Sequence, residues 1–294
     1  MSFTPQSAIF VQGSQFYIAL EYRCAASPQL KAAIQAARAA ALLASDTHAV
    51  FAFGNTLLRA FSGDGLNDFT PITGASGLSA PATQRDLLIW VHGSRPDANF
   101  DLARAMHRAL ESHAELMLEA PGFNYHENRD MSGFIDGTAN PKDHEALEAA
   151  LIPGDHERAG GAYVLSMQYV HDLKAFNKLA EQDQENVIGR SKPDSVEMAP
   201  DRKPKDAHIA RAEVSEDGVE LKIYRRSFPY GGVRQHGLYF LAFACDQHRF
   251  DAILKNMYGV SGDGLHDRLL DFTQAVTGSY WFAPSREALE NMLR

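Results

Sequence analysis

The chain has 294 residues, 45% hydrophobic and 22% charged, with a formal net charge of −9. That composition suits a globular protein able to bury a full core, and the length predicts two domains of about 150 residues. Net negative charge without a basic stripe disfavours phosphate-backbone binding, and no apolar run approaches the ~18 residues of a membrane span.

Before the first predicted strand, Gln6, Gln12, Ser14 and Gln15 interrupt the apolar run that a signal peptide needs. Cys24 and Cys245 are too few for a disulfide framework and too far apart for a CxxC site, so both are expected to be buried free thiols. A cytoplasmic protein is the expectation. The apolar run Phe16–Leu20 predicts a strand. Ser27-Pro28 then supplies an N-cap and a proline at the first helical position, and Leu30, Ile34, Ala37 and Ala41 follow at helical spacing, predicting a helix over 28–44. Strands at 49–53 and 86–93, a helix at 99–114 and a strand at 115–120 complete the order βαββαβ, a ferredoxin-like unit.

The second half repeats that order. A strand is predicted at 161–170, a helix at 173–189, two strands about the turn 215–218, a strand at 237–245, a helix at 249–259 and a strand at 278–284. Asp97…Phe100-Asp101 and Asp246…Phe250-Asp251 each lead from strand to helix, and their phenylalanines lie 150 residues apart. The expected fold is α+β: two ferredoxin-like domains, 1–120 and 161–294, with antiparallel sheets and peripheral helices, joined by a linker at 121–160. Residues 191–206, with three prolines and eight charges, are expected to form a long surface loop.

Three positions attract attention. The linker contains "MSGFIDGTANP" (131–141), in which Asp136 follows Phe134-Ile135 between two glycines. In "GVELKIYRRSFPYG" (218–231), alternation sets Val219, Leu221 and Ile223 on one face and continues it to Arg225 and Ser227. A guanidinium on a core-facing position is costly unless it is paired or serves a ligand. His208 follows the charged loop directly. Taken singly, Asp136 reads as a turn residue, Arg225 as a salt-bridged arginine and His208 as a capping histidine. No HExxH or zinc-spaced cluster is present.

Together, "GFIDGT", "HIAR" and "IYRRSFPYG" resemble the dye-decolourising peroxidases, specifically the shorter class B type. The resemblance covers nearly the whole chain, including "DQENVIGR" ahead of the loop, with His208 72 residues after Asp136 and Arg225 17 further on. It implies haem b (iron protoporphyrin IX) in the C-terminal half, with His208 as the iron ligand, Asp136 as the distal acid and Arg225 as the distal arginine. Arg190 matches a residue that pairs with a haem propionate. Ser227 falls where many relatives have Asn and some Ser, and Asp271 is the candidate acceptor that orients His208. Hydrogen peroxide and a one-electron donor are the implied substrates, in a homo-oligomer, with no tail for loading into a protein shell. Trp281, Tyr280 and Tyr125 are candidate electron relays. The alternative reading is a haem carrier or iron-removing protein with little turnover. One geometric constraint follows. A tight hairpin centred on Glu216-Asp217 would set His208 across from Arg225, ~5 Å apart at Cα, too close for opposite faces of a haem. Strand pairing must therefore break before His208, leaving it in the loop.

Overall fold

Nine residues, Phe16–Cys24, form the first strand, β1, and Ala19 at its centre has no exposed surface. Helix α1 (Pro28–Leu43) begins where Ser27 accepts a hydrogen bond from the Leu30 N–H, and it buries Leu30, Ala33, Ile34 and Ala37. There follow β2 (Thr47–Phe53), α2 (Asn55–Ser62), the short pair β3 (Ile72–Thr73) and β4 (Ser79–Ala80), then β5 (Leu87–Gly93), α3 (Pro96–Leu110) and β6 (Ala114–Phe123). This is a computed structural model, and it describes residues 3–74 and 77–294.

After α4 (Asp143–Ala150) the second half runs β7 (Ala162–His171), α5 (Leu173–Phe176), α6 (Glu181–Ile188) and α7 (His208–Ala212). The hairpin β8 (Ser215–Glu216) and β9 (Val219–Glu220) leads to β10 (Tyr224–Arg225), β11 (Phe228–Gly231), β12 (His236–Ala244), α8 (His248–Met257), β13 (Thr273–Ala275), β14 (Ser279–Ala283) and α9 (Arg286–Leu293).

The first half orders its strands β6-β1-β5-β2 and the second β14-β7-β12-β11, so each half reads last, first, third, second. The halves do not form separate sheets. β6 meets β11 through Tyr230↔Gly122, β2 meets β14 through Phe282↔Phe53, and the ring of eight antiparallel strands closes. Gly122 is required at the first seam, because a Cβ there would lie 2.2 Å from the Phe228 ring. Side-chain alternation divides the core in two. Inside the barrel lie Ala19, Val50, Trp90, Val164, Tyr239 and Trp281 with their neighbours. Outside it, Leu20, Phe51, Leu165 and Met167 pack with the helices in a larger cluster.

Four local expectations are corrected. The helix expected over 173–189 is broken into α5 and α6, because the Gln184 side chain donates to the carbonyls of Phe176 and Leu179 and ends the first turn. The hairpin turn is centred on Asp217-Gly218, with Ser215 opposite Glu220 and Glu216 opposite Val219; both turn residues have positive φ (50° and 78°). Pairing ends above Val214, as expected, but His208 opens the short helix α7 and is not a loop residue. The apolar face predicted for 219–223 is realised from Leu221 onward, since Leu221 and Ile223 line a common cavity whereas Val219 is exposed.

Candidate active site

Outward-facing residues of the second half wall one side of a cavity of ≈ 210 Å³. Leu165 and Tyr169 come from β7, Ile223, Arg225 and Ser227 from the β10 segment, and Leu238 and Phe240 from β12. Helices α7 and α8 close another side with Ile209, Ile253, Leu254 and Met257. The third wall is the stretch Ile135–Ala139. Asp136, Arg225, His208, Arg190 and Ser227 all line this one space, and Asp271 does not.

His208 sits at the first position of α7, its ring exposed only to the cavity. Nδ1 lies 2.6 Å from Oδ2 of Asp267, a carboxylate with no solvent exposure. Burial lowers the imidazole pKa, but the charge and hydrogen bond of Asp267 outweigh it and hold the pKa above the ordinary histidine value. Asp267 is fixed in turn: its Oδ1 accepts from the Leu269 N–H, and its own N–H donates to the Met257 carbonyl. The partner of His208 is therefore Asp267, not Asp271. Asp271 is exposed and pairs with His266 at 3.0 Å, because the short 3-10 turn Arg268–Asp271 carries it to the outer surface.

Asp136 and Arg225 occupy a different wall. The Asp136 N–H donates to the Asn128 carbonyl, and its Oδ1 accepts from the Gly137 N–H. Gly137 has φ +79°, and a Cβ there would meet nothing within 4 Å. The glycine is needed for its backbone angle, not for close approach. Asn140, from the same motif, clamps the loop to β10: its Oδ1 accepts from the Arg225 N–H (2.8 Å) and its Nδ2 donates to the Arg225 carbonyl (2.9 Å). Sequence reasoning missed Asn140; the only signal was its place in the "TANP" stop.

The segment 191–206 backs the Asp136 loop. Arg129 donates to the carbonyls of Gly133, Lys192 and Pro193, and the Thr138 hydroxyl lies 2.9 Å from that of Ser195. Asp130 is tied to the sheet by His171 at 3.0 Å. Burial raises the Asp130 pKa, but the hydrogen bond and charge of His171, with help from Ser132, bring it down to about 2. Arg190 is engaged by the Glu197 carboxylate (2.8 Å) and the Ser195 carbonyl (3.0 Å) at the rim. The Ser227 hydroxyl accepts from the Leu241 N–H.

A second cavity of ≈ 970 Å³ lies on the far side of the Asp136 loop, at one mouth of the barrel. It shares Asp136, Arg225 and Ser227 with the first and adds Phe10, Tyr17 and Phe228. Of the residues expected to relay electrons, Trp281 is fully buried within the barrel and Tyr280 is bonded to Asp251; Tyr125 is half-buried against His126.

The fold and this site have counterparts. The family Dyp-type peroxidase, C-terminal matches residues 127–288, and Dyp-type peroxidase, N-terminal matches 18–124. The chain belongs to the Dyp-type peroxidase family. That family comprises haem peroxidases. A dye-decolorizing peroxidase of Mycolicibacterium paratuberculosis is 39% identical over 217 residues, a match covering 72% of this chain and 61% of that protein. The match therefore spans less than two thirds of that curated relative. A dye-decolorizing protein from V. cholerae superposes with TM-score 0.91 at 38% identity, covering 97% of this chain and 98% of the other. A variant of Rhodococcus jostii DypB in complex with heme superposes with TM-score 0.91 at 33% identity, covering 98% of this chain and 99% of the other.

The residues present fit a haem. Among the described residues no group of three or more His, Cys, Asp or Glu could hold a bare metal ion. An iron on the free Nε2 of His208 would therefore need its remaining ligands from a macrocycle, and the largely apolar walls around it suit one.

Proposed function

We propose that this Dyp-type peroxidase is of the class B type and reduces hydrogen peroxide while oxidising one-electron donors such as dyes and phenolics. Near-full-length superposition on R. jostii DypB supports the class. The shared strand order supports reading the two halves as ferredoxin-like units. The observation that carries the function is that one cavity has a carboxylate-bound imidazole on one wall and Asp136 with Arg225 on another.

When bound, haem b supplies the iron and the redox capacity for cleaving peroxide. His208 would hold that iron through Nε2, and the buried Asp267 carboxylate at Nδ1 fixes the tautomer and would make the imidazole a more basic ligand. Asp136, which lines the cavity, would take the proton from one peroxide oxygen and return it to the other. Arg225, held by Asn140 through its backbone, stabilises the negative charge that develops on the departing oxygen. Arg190 would pair with a propionate at the rim, and Ser227 borders the cavity beside Arg225. A mere haem carrier would need neither Asp136 nor Arg225. The test is spectroscopic: purified, haem-loaded protein should show a Soret band that shifts on adding one equivalent of hydrogen peroxide. A band that peroxide leaves unmoved overturns the proposal.

A further inference from the structure

The barrel interior holds an ionisable group that the mechanism above does not use. Glu21 on β1 has no exposed surface, and its Oε1 accepts from the Tyr239 hydroxyl (2.7 Å) and the Ser166 hydroxyl (3.0 Å). Ser166 accepts in turn from the Trp281 indole N–H (2.9 Å). The other carboxylate oxygen, Oε2, is buried and has no partner among the described residues, as does the Ser279 hydroxyl. Placing an acid there is costly for stability, which a purely structural role does not explain.

Tyr239 links this acid to the peroxide site. Its strand neighbours Leu238 and Phe240 line the haem cavity, so Tyr239, on the opposite face of β12, is one sheet thickness away. It also continues outward. The Tyr239 ring stacks on Phe228 (centroids 5.1 Å), and Phe228 stacks on Tyr17 (4.9 Å, 8° between planes). Tyr17 lines the ≈ 970 Å³ cavity at the barrel mouth.

We propose that Tyr239, with Glu21 as its proton acceptor, is a relay that carries oxidising equivalents from the haem cavity through Phe228 to Tyr17 and donors in the outer cavity. In the outward step the Tyr239 phenol gives one electron to the peroxide-oxidised cofactor and its O–H proton to Oε1 of Glu21. In the return step Tyr17 gives an electron to the Tyr239 radical and its O–H proton to the solvent of the outer cavity, Glu21 returns its proton to Tyr239, and the donor then restores an electron to Tyr17, which regains a proton from solvent. Burial keeps the Tyr239 phenol well above its ordinary pKa, so it is protonated at rest. Burial also raises the Glu21 carboxyl, against the hydrogen bonds of Tyr239 and Ser166 and the charge of Arg85, making the ionised group a stronger base than an exposed carboxylate.

This inference rests on the peroxidase reading, and one experiment separates the two. Haem-loaded protein carrying ring-deuterated tyrosine is mixed with one equivalent of hydrogen peroxide, followed at the Soret band and freeze-quenched for electron paramagnetic resonance. The expected result is a tyrosyl signal, narrowed by deuteration, that is lost in Tyr239→Phe and in Glu21→Gln while the Soret change keeps its rate. Tyr17→Phe should retain the signal and prolong its lifetime in the presence of a bulky dye. Removing Tyr239 leaves Glu21 short of a donor. If that variant does not fold, the double variant Glu21→Gln/Tyr239→Phe removes the bare charge and reports on Tyr239 alone. A Soret shift accompanied by an undiminished radical in these variants overturns the relay and leaves the peroxidase reading standing. A Soret band unmoved in the parent protein overturns both.

Discussion

Asn140 is the most direct way to test how the distal wall is held. Its amide makes two hydrogen bonds to the backbone of Arg225, across 85 residues of sequence, at 2.8 and 2.9 Å. Each such bond contributes a net ~1 kcal/mol, so Asn140→Ala should release ~2 kcal/mol of loop attachment. Spread over the whole molecule, that loss lowers the melting temperature by roughly 4–8 °C for a chain of this size range. Concentrated at the wall, where it lets Asp136 drift from Arg225, the same energy slows the reaction with peroxide by up to about 30-fold. Haem loading should be unchanged, since His208 stands on α7, apart from the clamp. Stopped-flow mixing with hydrogen peroxide and thermal unfolding read the two effects. A variant with parental rate and parental melting temperature would refute the reasoning and leave the Arg129 and Thr138 bonds as what positions the loop.

Four further outcomes are expected. His208→Ala should retain little or no haem, read from the Soret absorbance after loading, because the other imidazole lining the cavity, His171, has both ring nitrogens engaged, by Thr273 and Asp130. Arg225→Ala should slow the peroxide reaction by roughly 10²–10³ and Asp136→Ala by no more than that, with the Soret band kept in both. Asp267→Asn should raise the reduction potential of the bound haem in a spectroelectrochemical titration, whereas Asp271→Asn should leave it unmoved. Asp130 is held at about 2, below the ordinary 3.8, so its stabilising contribution is full above pH ~4 and lost as pH falls toward 2. Unfolding midpoints measured across that window should fall less steeply in Asp130→Asn than in the parent.

The parts of this site that sequence could disclose are those carried by local pattern. The period of two placed Ile223, Arg225 and Ser227 on one face, and all three line the cavity. Duplicated strand and helix signals gave the order within each half. What closes the barrel is two seams of one bridging pair each, and nothing in the pattern of β2 or β6 announces a partner from the other half. The choice between Asp267 and Asp271 was equally hidden. Both stand four residues apart in one polar turn, and which faces inward depends on the 3-10 turn that Asp267 itself caps. Asn140 escaped because its partner is distant in sequence and is a backbone group, which has no residue-type signature. The break at residues 177–180 escaped because a single glutamine, Gln184, supplies hydrogen bonds that an unbroken helix would have supplied itself.

The adjacent arginines show how far strand geometry alone apportions chemistry here. Arg225 faces outward onto the haem cavity, while Arg226 turns inward, donates to the Val11 carbonyl (2.6 Å) and the Tyr224 hydroxyl (3.1 Å), and lies over the Trp90 ring at 5.2 Å. The same alternation sets Leu238 and Phe240 against the cofactor space and Tyr239 against Glu21. The two guanidinium groups face different surroundings, and neither position can stand in for the other. A barrel wall one residue thick thus keeps peroxide chemistry on its outside, while Glu21 and Tyr239 on its inside have no exposed surface. An electron can cross such a wall where peroxide and water cannot. That is why an oxidisable phenol with a fixed proton acceptor is better placed behind the wall than in the cavity, where peroxide could reach it directly.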